Sequence, residues 1–146
     1  MPRLRKNSTE SAESQRRYNN LREILLYLWQ LPQNLLGALL VLILRPGRNY
    51  DYRGVRLHYA SRMRGGISLG RHIILNDTYR DFDGKTEKHE WGHTRQSLLL
   101  GPLYLPLVGL PSLLWAAWWT PLRSTSYFRF FTERWADRLG GVRREP

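Results

Sequence analysis

The sequence predicts an α+β fold, in which a small β-hairpin or sheet packs on roughly three to four helices. Two short runs of strand-forming residues, 55–63 and 67–75, flank Arg64-Gly65-Gly66. A helical pattern follows from about Thr86 to Leu100, and uncharged apolar stretches lie on both sides of this central part. A small β-hairpin or sheet packed on separate helices is an α+β arrangement.

The composition limits both the number of domains and the chemistry of any site. A chain of 146 residues is the size of one domain and can bury a core without disulfides. There is no cysteine, so a metal would have to be bound by His, Asp or Glu. We expect one domain over 21–142 and a short tail over 143–146. Residues 1–20 have too few apolar side chains to bury, which predicts a flexible, basic and polar tail.

The first apolar segment, 24–44, predicts a broken helix. It contains no charged residue, but Pro32 interrupts it, and proline breaks or kinks a helix. We therefore expect a bend near Pro32 and an end before Pro46-Gly47. The uninterrupted part, 35–44, is too short to cross a bilayer alone.

The middle of the chain predicts a hairpin and then a helix. Glycines 65 and 66 allow the positive backbone angles of a tight turn, so we expect 55–63 to pair with 67–75 around them. A polar loop over 76–84 leads into the helix from about Thr86 to Leu100. Gly101-Pro102 ends that helix.

The second apolar segment, 98–119, is also uncharged, and we do not expect it to form one straight helix. Prolines and glycines interrupt it at positions 101, 102, 106, 109 and 111. Its end, 113–119, is rich in Trp, which suits a membrane interface. The last predicted helix covers 126–139 and stops at Gly140-Gly141.

The formal net charge of +11 predicts an anionic partner, either a phospholipid surface or nucleic acid. Because both apolar segments have basic flanks, we expect them to dip into or lie on one face of an anionic membrane, the cytoplasmic face in preference to the periplasmic one. The alternative is that they form the buried core of a soluble domain. Nucleic acid is disfavoured, since the aromatic residues concentrate in the apolar run instead of alternating with Arg.

The motif His89-Glu90-Trp91-Gly92-His93 predicts a metal site. Residues four apart lie on one face of a helix, so His89 and His93 can approach the same ion, as a tetrahedral zinc site requires. Glu90 lies beside them and could take a proton from a water on the metal. The alternative is a coincidence of two surface histidines with a Glu between them.

A third protein ligand is needed, and no histidine follows His93. Glu133 is the best candidate. Asp137, four residues later on the same face, could accept the outer N–H of a ligand histidine. Glu87 is a weaker ligand candidate because it lies on another side of the motif helix. Alternatively, Glu133 and Asp137 pair with neighbouring arginines on a solvated face.

Several other residues suggest roles without deciding them. Thr94 and Gln96 could support the site or only pack, and Trp91 is expected to pack. His58 and His72 are expected to be ordinary strand residues. Three tyrosines could donate a hydrogen bond to an oxyanion, but nothing in the sequence selects among positions 79, 104 and 127.

Four blocks, 89–97, 101–105, 108–112 and 132–137, together resemble an uncharacterised family of small bacterial zinc metallopeptidases of the His-Glu-x-x-His type. Related segments occur at the C-terminal ends of some polymorphic toxins. The resemblance extends from about Gln33 to Val142, and the blocks together are more specific than the motif alone.

The spacing of Glu133 and Asp137 is also similar to the Glu-x-x-x-Asp pattern of gluzincins, the thermolysin-like enzymes. This resemblance implies a zincin-like fold, a Zn²⁺ cofactor bound by His89, His93 and Glu133, Glu90 as the base, and Asp137 as the partner of a ligand histidine. It also implies an edge strand that binds the peptide substrate, formed by Gly66, Ile67, Ser68, Leu69 and Gly70. One departure is the long, apolar, proline-rich segment between His93 and Glu133.

The sequence therefore predicts a zinc-dependent peptidase that hydrolyses peptide or protein substrates at a membrane surface. The alternative is a non-catalytic, membrane-associated module that binds zinc or a partner.

Overall fold

The computed structural model describes residues 3–81, 84–119 and 127–144, with side chains described over 13–79, 84–117 and 128–144. Within these residues the fold is α+β, as predicted, with five α-helices and a four-stranded mixed sheet. The helices are α1 (Arg3–Trp29), α2 (Leu31–Leu44), α3 (Lys85–Leu100), α4 (Leu110–Trp119) and α5 (Phe131–Gly140). The strands are β1 (Arg48–Tyr52), β2 (Val55–Tyr59), β3 (Gly66–Leu69) and β4 (His72–Leu75).

The N-terminal segment is helical from Arg3 onwards, which was not predicted from the sequence, and the flexibility expected for residues 1–20 stays a prediction. Side chains 13–25 are exposed, which means that tertiary packing does not hold this part of α1. Extending an existing helix adds one hydrogen bond for each residue that is fixed, whereas starting one is costly. The segment can therefore continue the helix that begins to pack near Leu26.

The break near Pro32 is confirmed. Helices α1 and α2 meet at Gln30 with a bend of 81°, and Pro32 lies in the first turn of α2, where its missing N–H leaves no bond unmade. Helix α2 ends at Leu44, before Pro46, as expected. Among the described residues no single helix is long and apolar enough to cross a membrane, although α1 and α2 together meet that criterion as a bent pair.

The expected hairpin around glycines 65 and 66 is wrong. The strand order is β1-β2-β4-β3, with β2 and β4 parallel and β3 antiparallel to β4. The tight turn lies instead at Gly70-Arg71, inside the run that was predicted to be one strand. Gly70 has a φ of +61°, which favours glycine and allows the chain to reverse there. As a result β3 lies at the edge of the sheet.

One face of the sheet forms the main apolar core of the described residues, and α3 packs beside β3 and β4. The buried members are Val55, Leu57, Tyr59, Ile73 and Leu75. Trp91 of α3 packs against this cluster, in agreement with its expected packing role. The sheet therefore fixes the position of the helix that carries the His-Glu-x-x-His motif.

Helices α3 and α5 approach each other very closely, and two glycines permit the approach. A β-carbon on Gly92 would overlap the carbonyl oxygen of Ala136, and one on Gly140 would overlap that of Lys88. The close contact places the inner face of α5 directly against the motif face of α3. Gly141, with φ +72°, ends α5, as expected.

The remaining expectations for the helices are met in part. Helix α3 agrees with the predicted 86–100. The second apolar segment is broken, as predicted, into the end of α3, a 3₁₀ turn (Gly101–Leu103), a π-helical turn (Leu105–Gly109) and α4. The last helix starts at Phe131, after a 3₁₀ turn at Tyr127–Arg129. Position 126, the predicted start, lies outside the described residues.

Replacement of Gly92 by Ala should destabilise the fold by about 1–3 kcal/mol, because the added methyl group must displace the backbone at Ala136. Without this contact the same change inside a helix would stabilise by up to about 1 kcal/mol. The free energy of unfolding, measured with a chemical denaturant, tests the prediction. Gly47→Ala is the control, since a β-carbon there meets nothing within 4 Å. Equal free energies for the two variants would contradict the packing argument.

Candidate metal centre

Three buried side chains from two helices converge between α3 and α5. Helix α3 contributes His89 and His93, and α5 contributes Glu133. One ligand atom from each lies within 4.8 Å of the other two. This buried group could hold a metal ion.

The distances in the group fit a tetrahedral ion. Glu133 Oε2 lies 3.1 Å from His89 Nε2 and 3.3 Å from His93 Nε2. Metal–ligand bonds of about 2.0–2.1 Å at tetrahedral angles separate neighbouring ligand atoms by about 3.3 Å. The group supplies three ligands, which leaves a fourth position for a water or a substrate oxygen.

The outer nitrogen of each histidine has an acceptor that fixes its tautomer. His89 Nδ1 lies 2.7 Å from Asp137 Oδ1, and His93 Nδ1 lies 2.7 Å from Gln96 Oε1. Gln96 donates its amide to the Thr132 carbonyl over 2.8 Å, which sets the orientation of the side chain. Both Nδ1 atoms therefore carry hydrogen, and both Nε2 lone pairs can face the ion.

Arg144, beyond the end of α5, holds Asp137 in place. Its Nε and Nη2 donate to the two carboxylate oxygens of Asp137 over 2.7 and 3.0 Å, a bidentate pair. The Arg144 guanidinium also lies over the ring of Phe128, and the rings of Phe128 and His89 form a T-shaped pair with centroids 5.3 Å apart. The terminal segment expected to be a tail thus contributes a residue that supports the site.

The burial of Glu133 excludes the alternative in which it pairs with arginines on a solvated face. Glu133 is 0% exposed, and its Oε1 accepts from the Thr132 hydroxyl over 3.3 Å. Glu87, the weaker ligand candidate, lies elsewhere. It accepts a hydrogen bond from the Tyr59 hydroxyl over 2.9 Å and does not belong to the converging group.

The carboxylate of Glu90 lies between α3, which carries it, and the edge strand β3. The Ser68 hydroxyl is 2.6 Å from Glu90 Oε2 and 2.8 Å from the Glu90 carbonyl oxygen. On the same strand, Gly66 leaves room for the carboxylate, because a β-carbon at that position would overlap Glu90 Oε1. The side chain is 6% exposed, so Ser68 and Gly66 together fix where the carboxylate can lie.

The segment expected to bind substrate is brought to the same place. Gly66, Ile67, Ser68 and Leu69 form β3, and Gly70 lies in the turn that follows. Among the described strands β3 pairs only with β4, so β3 is an edge strand, in which Ser68 is 4% exposed. Of the three candidate tyrosines, Tyr104 contacts this strand, through a hydroxyl 3.1 Å from the Ser68 carbonyl oxygen. The side chain of Tyr127 lies outside those described.

Gln96, Arg144, Ser68 and Tyr104 are the supporting residues whose roles sequence reasoning missed or left undecided. Gln96 lies three residues after His93, so helical spacing could have indicated its contact. Arg144 gives no such signal, because the chain leaves the helix at Gly141 before reaching it. The roles of Ser68 and Tyr104 depend on which strand lies at the edge.

The charges of the group are strongly coupled. Burial lowers the pKa of His89, but hydrogen bonds with Asp137 and Glu133 outweigh it and raise that pKa to about 9. Burial raises the pKa of Glu133, but hydrogen bonds with His89 and His93 bring it well below its usual range. In the metal-free protein a proton on His89 therefore offsets the Glu133 charge at neutral pH. A metal ion would replace that proton.

Comparison of the chain with protein-family models, with curated proteins and with solved structures found no match. The family resemblance noted in the sequence therefore stays a prediction. The geometry of the buried group His89, His93 and Glu133 is the basis for any function assigned to it.

An NMR titration of the metal-free protein should separate two histidines. His89 should titrate near pH 9. His58 should titrate near pH 4, because burial, His72 and Arg56 lower its pKa. The stability that comes from protonated His89 is complete below its unfolded pKa of about 6.5 and is lost as the pH rises through 9. The stability that comes from neutral His58 is present above about 6.5 and is lost as the pH falls towards 4. Similar midpoints for both would contradict the assigned contacts.

Asp137→Asn should weaken metal binding by roughly tenfold to a hundredfold, because the outer N–H of His89 loses its anionic acceptor. Competition with a chelating indicator measures the affinity. Asp51→Asn is the matched control, since Asp51 is an exposed carboxylate that contacts Arg56 over 3.8 Å. An unchanged affinity in Asp137→Asn would show that the contact with His89 does not support the ligand.

Proposed function

We propose that the chain is a zinc-dependent peptidase with a zincin-like active site. The ligands are His89, His93 and Glu133, and Glu90 is the general base. Two imidazoles and one carboxylate suit zinc better than calcium or magnesium, which prefer oxygen ligands. Three protein ligands with an open position are typical of catalytic zinc sites, whereas structural sites have four.

One observation carries the proposal: a buried carboxylate that is not a ligand lies between the ligand helix and the edge strand of the sheet. Glu90 adjoins the ligand His89 on α3, and Ser68 of β3 holds one of its oxygens. A purely structural metal site has no use for such a carboxylate. A hydrolytic site needs one, to accept a proton from the attacking water.

The chain's own residues would divide the remaining work of hydrolysis. When bound, zinc would polarise the substrate carbonyl and lower the pKa of a water towards neutrality. Glu90 would accept a proton from the attacking water while the oxygen of the water forms a bond to the substrate carbonyl carbon. The carbon–nitrogen bond then breaks, and Glu90 returns the proton to the leaving amine. The route forms no covalent bond between substrate and enzyme.

The edge strand supplies orientation. An extended peptide could bond to main-chain groups at the edge of β3, beside the Tyr104 hydroxyl that bonds to the Ser68 carbonyl. Because the Ser68 hydroxyl bonds to Glu90, the same strand would position both the substrate and the base. Asp137 and Gln96 orient the ligand histidines through their outer nitrogens.

Glu90→Gln should reduce peptide hydrolysis by at least roughly a hundredfold, the lower end of the contribution of a general base, and leave the metal content unchanged. Hydrolysis of a fluorogenic peptide library by the metal-loaded protein measures the first, and elemental analysis measures the second. Glu87→Gln is the control on the same helix, since that carboxylate bonds to Tyr59. Equal activity in wild type and Glu90→Gln would favour the alternative, a non-catalytic zinc-binding module.

A further inference from the structure

Helix α2 has the reverse of the usual amphipathic pattern. This helix, all of which the structure describes, buries Gln33, Asn34 and Gly37. The exposed large apolar side chains of α2 are Leu31, Leu35, Leu36, Leu39, Leu42 and Ile43. A helix on the surface of a water-soluble domain buries its apolar stripe and exposes its polar one.

The buried polar groups of the bend connect helices. Gln33 Nε2 lies 3.2 Å from Ser97 Oγ on α3, and Ser97 also bonds to Gln30 over 2.9 Å. Asn34 donates to the Tyr27 carbonyl over 2.9 Å and accepts from the Arg71 amide over 2.8 Å. Polar residues that join helices on the inside, with leucines on the outside, are typical of helices that face lipid.

The exposed apolar surface continues across two further segments. The Trp29 indole donates to the Leu98 carbonyl over 3.0 Å, and its ring packs against Gly101, so the end of α1 lies against the segment that follows α3. Both segments expose apolar side chains, and α2 contacts both α1 and the 3₁₀ turn Gly101–Leu103. We name the whole set the leucine face: Leu21, Ile24, Leu25, Leu28 and Trp29 of α1, the six of α2, and Leu99, Leu103, Leu107, Leu110, Leu113 and Leu114. Apolar patches of this extent mark membrane or protein contacts.

The charges around the leucine face select the partner. Glu23 is the one acidic residue within the α1–α2 part, residues 21–43, and it pairs with Arg71. Basic residues lie at both ends of that part and within it: Arg16 and Arg17 before it, Arg22 within it, Arg45 and Arg48 after it. Two copies meeting through this face would bring like charges together. Anionic lipid headgroups would neutralise them, and acyl chains would cover the leucines.

The edge strand of the metal site lies between two parts of this surface. Gly37 of α2 packs on the Leu69 carbonyl, where a β-carbon would lie 2.8 Å from the oxygen. The Tyr104 hydroxyl bonds to the Ser68 carbonyl, and Tyr104 lies within the segment that carries Leu103 and Leu107. The strand beside Glu90 is therefore bordered by elements that expose the leucine face.

We infer that the leucine face inserts into an anionic bilayer and that the substrates of the site are peptide segments held at that bilayer. The inferred membrane docking is supported by the exposed leucine face and by the basic residues around it. The substrate class rests in addition on the proposed peptidase function. A peptide segment held at the bilayer would lie next to β3. A peptide dissolved in water would have to approach β3 around the surface that is docked on the bilayer.

Flotation with lipid vesicles tests the docking. Full-length protein should bind vesicles of phosphatidylcholine mixed with phosphatidylglycerol, and bind pure phosphatidylcholine less. The double variant Leu39→Asn, Leu42→Asn should bind the mixed vesicles at least roughly tenfold more weakly, because two exposed leucines no longer enter the acyl region. The control is Tyr50→Asn, Phe131→Asn, two comparably exposed apolar residues on β1 and α5.

Two results would overturn the docking. In the first, the leucine variant binds the mixed vesicles as tightly as wild type. In the second, lipid-free wild type is a stable dimer by light scattering and the leucine variant is a monomer, which would assign the leucine face to a second copy of the chain. Unchanged circular dichroism in both double variants shows that either result comes from the surface and not from unfolding.

A pair of fluorogenic peptide libraries tests the substrate class on the same vesicles, one carrying a palmitoyl chain and one without it. Wild type should cleave the lipid-anchored library at least roughly tenfold faster, and the leucine variant should lose this advantage. Equal Glu90-dependent cleavage of both libraries would overturn the substrate class and leave the peptidase function standing. Failure to cleave either library would count against the peptidase function, while flotation would still decide the docking.

Discussion

The close contact between α3 and α5 is the constraint on which the rest of the site depends. Glycines at 92 and 140 remove the side chains that would otherwise separate the two helices. At this distance Glu133 reaches both histidine Nε2 atoms. Asp137, one turn further along α5, reaches the outer nitrogen of His89. A wider separation would leave a buried, uncompensated carboxylate in place of a ligand group, at a cost of several kcal/mol.

The sheet contributes the other half of the site through its edge. The turn at Gly70 folds β3 back along β4, so that β3 ends the sheet next to α3. Ser68 then holds the Glu90 carboxylate, and Gly66 leaves it space. Under the proposed function, metal binding would depend on contacts with α5 and proton transfer on contacts with β3. Because these contacts differ, variants in α5 and variants in β3 can test metal binding and proton transfer separately.

Features that depend on residues close together in the sequence were predicted better than features that depend on long-range contacts. The spacing of His89 and His93, the break at Pro32 and the end of α3 at Gly101 follow from backbone geometry within a few residues. Glu133 could be selected because few acidic residues remain after the motif and because its spacing to Asp137 resembles a known pattern. The hairpin was misplaced because glycines 65 and 70 both suit a turn, and the choice between them depends on the parallel pairing of β2 with β4. The support from Arg144 could not be predicted, because it depends on where the chain goes after Gly141.

Elemental analysis of the purified protein tests the three-ligand site most directly. The account predicts about one zinc ion per chain in wild type after reconstitution, and its loss in both His93→Ala and Glu133→Ala. Circular dichroism of the three proteins separates loss of the ion from loss of the fold. Wild type without bound zinc, or Glu133→Ala with its zinc retained, would contradict the account.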